Sequence, residues 1–107
     1  MKQSTRFCLI EACLLRHGLV RRRHICEGFD INLASATRLF NQYREQHPGN
    51  ISYDPTVKAY IKADAFVPSQ LAELMCGEGS PASDGAALLM AKDYLDSFRT
   101  VTGIDLN

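Results

Sequence analysis

Residues 32–62, NLASATRLFNQYREQHPGNISYDPTVKAYIK, decide the fold because their apolar spacing changes period in mid-stretch. Leu33, Ala36, Leu39, Phe40 and Tyr43 make one stripe of an amphipathic helix from Leu33 to about Gln46, with Asn32 at the N-cap. The opposite face carries Asn32, Ser35, Thr37, Arg38, Asn41 and Gln42, which are polar and mostly short. His47-Pro48-Gly49-Asn50 stops the helix, since proline cannot continue the hydrogen-bond ladder and restricts the residue before it. From Ile51 the period becomes 2. Ile51 and Tyr53 alternate with Ser52, Asp54-Pro55-Thr56 supplies a turn, and Lys58, Tyr60 and Lys62 alternate with Ala59 and Ile61. The expectation is a β-hairpin with one apolar and one basic-aromatic face, packed on helices because two strands alone are barely stable in water.

Upstream, Ser4 to His17 reads as a helix with Phe7, Ile10, Leu14 and His17 on one stripe, a cap at Ser4 or Thr5, and Gly18 closing it. Arg21 to Gly28 makes a second short helix, with Ile25 inward beside Cys26, broken at Gly28-Phe29-Asp30. Downstream, Pro68 to Cys76 suits a short helix, Gly77-Glu78-Gly79 a flexible joint, and Ser80-Pro81 the start of a helix running to about Thr102. Three short helices followed by a hairpin is the plan of a winged helix-turn-helix. The fold class expected is therefore mainly α with a small β-hairpin: a winged helix-turn-helix over residues 1–66, followed by C-terminal helices over residues 67–107 that serve dimerisation.

Charge supports this division. Twelve Lys and Arg balance twelve Asp and Glu across 107 residues, and a neutral total speaks against a nucleic-acid partner. By position it does not, because residues 1–62 hold ten bases against five acids and residues 63–107 hold two against seven. A basic half of this kind points to a polyanion. Asn32, Ser35, Thr37, Arg38, Asn41 and Gln42 suit the major groove, where arginine binds guanine through two hydrogen bonds. Arg21, Arg22 and Arg23 at a helix start suit phosphates, and Lys58, Tyr60 and Lys62 would track the flanking backbone. The expected partner is double-stranded DNA.

The runs R-F-x-L-I-E-x-x-L from Arg6 to Leu14, G-x-V-x-R from Gly18 to Arg22, and F-D-I-x-x-x-x-A-T from Phe29 to Thr37 carry a resemblance. Its most specific part is P-G-N-I-x-Y-D-x-x-x-K-x-Y-x-x-x-x-x-F-x-P from Pro48 to Pro68. About residues 5–70 resemble the amino-terminal winged-helix domain of WYL-type bacterial transcription regulators, above all the repressors associated with phage-defence loci. The resemblance implies a homodimeric DNA reader with Asn32 to Arg38 in the major groove and the Lys58 hairpin as its wing. Leu39 stands where that family usually has an acidic residue, and the family's large ligand-sensing WYL domain has no counterpart in the chain.

The last helix carries Leu88, Ala91, Leu95 and Phe98 on one stripe, widened by Ala87, Met90, Tyr94 and Val101. It can fold back on its own domain or pair with a second copy. Pairing is expected, since residues 1–62 look nearly self-sufficient, and Leu95→Asp should then split a homodimer while leaving the winged helix folded. Two copies would set recognition helices about 34 Å apart on a palindromic operator.

Other functions draw little support. Cys8, Cys13, Cys26 and Cys76 contain no C-x-x-C pair and read as reduced, mostly buried thiols, so no metal and no cofactor are expected. His17 reads as a half-buried structural histidine, and His24 as a phosphate contact or plain surface. Asp93 and Asp96 read as a solvated face. Without a phosphate loop, nucleophile elbow or H-x-x-x-H pair, no enzyme is expected. The absence of a membrane-length apolar run or a signal-peptide core points to the bacterial cytosol. The expected function is a homodimeric repressor. The alternative is a protein-interaction module, an antirepressor-like winged helix that forms mixed dimers with another regulator.

Overall fold

The structure is a computed structural model that describes residues 3–77 and 80–107, with the side chains of residues 3–5 outside the description. The expected cap at Ser4 or Thr5 and part of the joint at Gly77-Glu78-Gly79 therefore lie outside the described residues. The chain runs α1 (Gln3–His17), β1 (Leu19–Val20), α2 (Arg22–Phe29), α3 (Leu33–Gln46), β2 (Ile51–Asp54), β3 (Ala59–Lys62), α4 (Ser69–Cys76) and α5 (Asp84–Thr102). The mainly helical winged fold is as the periodicity predicts. The strands form an antiparallel sheet of order β1-β3-β2, so the wing is a hairpin with a two-residue third strand along its edge.

Local chemistry sets the element ends. Asn32 Oδ1 accepts from the Ser35 N–H at 2.8 Å, and α3 spans the residues expected of it. Gly18 at φ 77° ends α1, where a residue without Cβ takes the left-handed conformation at little cost. Helix α2 runs one residue past Gly28 and is ended by Asp30, itself at φ 54°. Gly28 serves packing rather than breaking: a Cβ there would lie 2.7 Å from Leu9 Cδ2 and 3.3 Å from Phe98 Cζ. Helix α5 starts at Asp84, with Ser83 Oγ capping the Ala86 N–H at 3.1 Å, three residues later than Ser80-Pro81 predicts.

Helix α1 corrects the expectation of a self-sufficient residue 1–62 core. Phe7, Cys8, Leu9, Ile10, Glu11, Ala12, Cys13 and Leu14 are all buried, so the helix is enclosed on every side rather than along one stripe. Helices α4 and α5 both pack on it, and Leu71, Ala72, Met90, Ala91, Leu95 and Leu106 belong to the same core as Phe7, Ile25, Phe40 and Tyr43. No break in the core coincides with the expected boundary between residues 66 and 67. Burial of their thiols pushes both Cys8 and Cys13 up to about 12, which leaves them protonated.

The stripe expected to pair two copies is thereby corrected as well. Ala91 and Leu95 are fully buried within their own chain, and Phe98 meets Phe29 edge-to-face at 6.0 Å. Of the four expected dimer residues only Leu88 is substantially exposed. The face left to solvent carries Leu89, 61% exposed, and Val101 instead.

A buried polar chain ties α3 to α4. Glu11 Oε2 accepts from the Tyr43 hydroxyl at 2.7 Å, and Glu11 Oε1 accepts from the Leu71 N–H at 2.8 Å in the first turn of α4. Asn50 Nδ2 donates to Tyr43 Oη at 3.1 Å and to the Val67 carbonyl at 3.0 Å. Burial pushes the Glu11 carboxyl up to about 7, against the pull of the Leu71 and Gln70 N–H groups and the Tyr43 hydroxyl, which favour its charged form. Tyr43 is raised too, by burial first and by the neighbouring Glu11.

Candidate nucleic-acid interface

Helix α3 buries Ala36, Leu39, Phe40 and Tyr43. At 3.6 residues per turn, the line opposite this stripe runs through Ala34, Arg38, Asn41 and Glu45, flanked by Thr37 and Gln42. Asn32, Ala34, Arg38 and Asn41 are exposed, whereas Ser35, Thr37 and Gln42 are half-buried. Three of the expected readers are engaged within the protein: Asn32 Oδ1 by its cap, Thr37 Oγ1 by Arg22 Nη1 at 3.2 Å, and Asn41 Oδ1 by Arg44 Nη2 at 3.2 Å. That second bond brings the arginine-rich start of α2 against the outward side of α3.

Arg21 is the N-cap of α2, and Arg22 and Arg23 are its first two residues, so positive side chains surround N–H groups that have no partner within the helix. His24 builds this end. Its Nδ1 accepts from the Arg21 N–H at 3.0 Å, which requires an unprotonated Nδ1. Burial, with help from Arg23, His17 and Arg21, holds its pKa below the ordinary histidine value, while Glu27 opposes the shift. His24 is thus a helix cap, and neither expected reading of it is needed. Its ring stacks at 6.3 Å on His17, which is exposed rather than half-buried and has Nε2 2.7 Å from the Leu106 carbonyl oxygen.

The wing alters one expected contact. Tyr60 is only 5% exposed and stacks on Phe40 with ring centroids 4.0 Å apart and planes 6° apart. It fastens the wing to α3 and is not available to a backbone outside. The parity of Lys58, Tyr60 and Lys62 fails because Lys58 lies in the turn, at φ 53°, before β3 begins. Register settles the faces. Ile51 pairs with Lys62 and Tyr53 with Tyr60, and directly opposed residues share a face, so the two faces expected of the hairpin are one. Lys58 at the wing tip and Lys62 at the end of β3 are exposed. Asp54, the acid nearest the tip, uses Oδ1 to accept the Thr56 N–H at 2.8 Å.

Ala34, exposed on the centre line of the outward face, has no place in the apolar stripe or among the expected readers. Leu33, expected in the core, is the first residue of α3 and is 59% exposed. Glu11 was counted only as an acid. Its place inside the apolar run Cys8 to Leu15 was the available signal of burial.

Among the described residues no group of three His, Cys, Asp or Glu side chains could hold a metal ion, and no helix is long and apolar enough to cross a membrane. A helix-turn-helix with an outward polar face, an arginine-lined helix start and a basic wing tip is the layout of a winged DNA-reading domain. The family model of the BrxR transcriptional regulator winged helix-turn-helix domain matches residues 2–75. The chain belongs to that family. The BrxR match extends through Met75 in α4, and so includes a helix that the expected boundary at residue 66 would separate from the winged helix. No curated protein matches the sequence. As a BrxR-type winged helix, the chain is a DNA-binding domain of the transcription-regulator class.

Proposed function

We propose that this chain is a sequence-specific transcription repressor that binds a palindromic operator as a homodimer, of the kind associated with phage-defence loci. One observation carries the DNA contact: the Arg22 to Thr37 bond joins the phosphate-seeking start of α2 to the base-facing side of α3. Arg38 and Asn41 then read base edges, Arg21 to Arg23 bind phosphates, and Lys58 with Lys62 follows the backbone beside the groove. Dimerisation draws support from apolar side chains left exposed on α4 and α5, namely Leu74, Met75, Leu88 and Leu89. A dimer joined there would turn its two acidic C-terminal halves towards each other and away from the phosphates.

The test is retardation of the DNA upstream of its gene at two salt concentrations. About six phosphate contacts predict a loss of roughly a thousandfold in affinity between 50 and 200 mM salt. A flat response, or no retarded band, would sink the DNA reading and leave the mixed-dimer antirepressor, for which the same exposed apolar side chains would be the contact.

A further inference from the structure

The start of α3 presents aliphatic groups where a DNA reader usually presents polar ones. Leu33 is 59% exposed and Ala34 beside it is exposed, although the core stripe of the helix is complete without them. The apolar residue just before the cap, Ile31, already packs against the core, so Leu33 is not needed to anchor the helix entry. Two nearby polar atoms are bonded inside the protein: Asn32 Oδ1 to the Ser35 N–H at 2.8 Å, and Thr37 Oγ1 to Arg22 at 3.2 Å. Leu33 stands at the first position of α3, one turn before Thr37, at the edge between the core stripe and the outward face. Ala34 lies on the centre line of that face, one turn before Arg38.

The major-groove floor offers one apolar group, the 5-methyl of thymine; every other distinguishing feature there is a hydrogen-bond donor or acceptor. We propose that Leu33 and Ala34 determine specificity by packing on thymine methyls, so that the operator carries thymine under the first turn of α3 while Arg38, one turn on, reads a guanine. This rests on α3 being the helix that enters the groove. Water excluded by a leucine against a methyl favours thymine over cytosine and over uracil, which presents the same polar edge without the methyl. One buried methyl corresponds to about a fourfold change in affinity, and a symmetric dimer would use it twice.

The test uses a duplex selected by this chain from a random-sequence pool, synthesised with thymine and again with uracil in its place. Wild type and Leu33→Ser are titrated against both. Because Leu33 is exposed, the variant should keep the melting temperature of the parent, and Ala34→Ser provides a second variant with the backbone intact. Wild type should lose at least about fourfold on the uracil duplex, and Leu33→Ser should bind the thymine duplex more weakly while losing little further on uracil. Equal uracil losses in wild type and both variants would overturn the proposal, because they would assign the effect to duplex deformability. No loss in wild type would overturn it as well, leaving the DNA reading intact. Failure to select any duplex would overturn the DNA reading itself and the methyl contact with it.

Discussion

Helices α3 and α5 begin from the same chemistry and end in different roles. Each is amphipathic, each is capped at its start by a side-chain oxygen, and each delivers its apolar stripe into one core around α1. What differs is the remaining face. On α3 it is Ala34, Arg38 and Asn41, with Arg22 of α2 joined to its flank through Thr37. On α5 it is Leu88, Leu89 and Val101 among Lys92, Asp93, Asp96 and Arg99. An apolar stripe says that a helix is buried but not against what; the role is written on the face left over. In the proposed reading the basic half keeps its leftover face for DNA, and the acidic half supplies the helices that pack on α1.

The largest effect should come from attacking that packing. Leu95 is fully buried against the core, so Leu95→Asp places an unpaired carboxylate there and should abolish cooperative unfolding, at a cost above about 4 kcal/mol. This reverses the expectation that the same change would merely separate two folded copies. Leu89→Asp, on the exposed face, should leave the melting transition in place and halve the mass measured by light scattering. A folded Leu95→Asp monomer would restore the pairing role of the buried stripe.

Acidity probes the link between the two halves. An unfolded chain releases the Glu11 proton near its ordinary value of 4.5, whereas the folded chain holds it to about 7. Between these values the native state carries the proton that the unfolded state has lost, so stability should fall as pH rises from 4.5 to 7. The slope is at most about 1.4 kcal/mol per pH unit. Denaturant midpoints across this window should show the fall in wild type and its loss in Glu11→Gln, and matching profiles would remove Glu11 as its cause.

Gly28 lies on the seam where α2 meets Phe98 and Leu106 of the acidic half. Gly28→Ala drives a Cβ to 2.7 Å from Leu9 Cδ2 and should cost about 1–3 kcal/mol by chemical denaturation. An unchanged midpoint would mean that the seam is looser than the contacts require. Smaller effects separate reading from anchoring. Arg38→Ala should cost about 1–3 kcal/mol on the operator and far less on random DNA. Tyr60→Phe keeps the ring stacked on Phe40 and should leave affinity and its salt slope unchanged, whereas an Arg38-sized loss would put the hydroxyl on DNA after all.

The legibility of the sequence follows the same contrast. Helix α3 was readable to the residue because Asn32 and Pro48 bracket it with side-chain chemistry that acts locally. The winged plan was readable because three helices and a change of period need no long-range knowledge. Tyr60 was misplaced because alternation was counted through Lys58, whose left-handed turn conformation lies outside the strand. Strand β1 has only two residues, too few to show a period. The partner of the α5 stripe was not readable, since a stripe looks the same against α1 as against a second copy. Glu11 was missed because a carboxylate is ordinarily a surface group, and the groups that satisfy it, Tyr43 and the Leu71 N–H, are far away in sequence.

The orientation of the two halves can be tested by photocrosslinking. A photoreactive side chain placed at Asn41, exposed on α3, and in a second protein at Ser97, exposed on α5, is irradiated with bound DNA. The Asn41 position should crosslink to the duplex and the Ser97 position should not. Crosslinks from Ser97 with none from Asn41 would put the acidic half on the DNA and contradict the account.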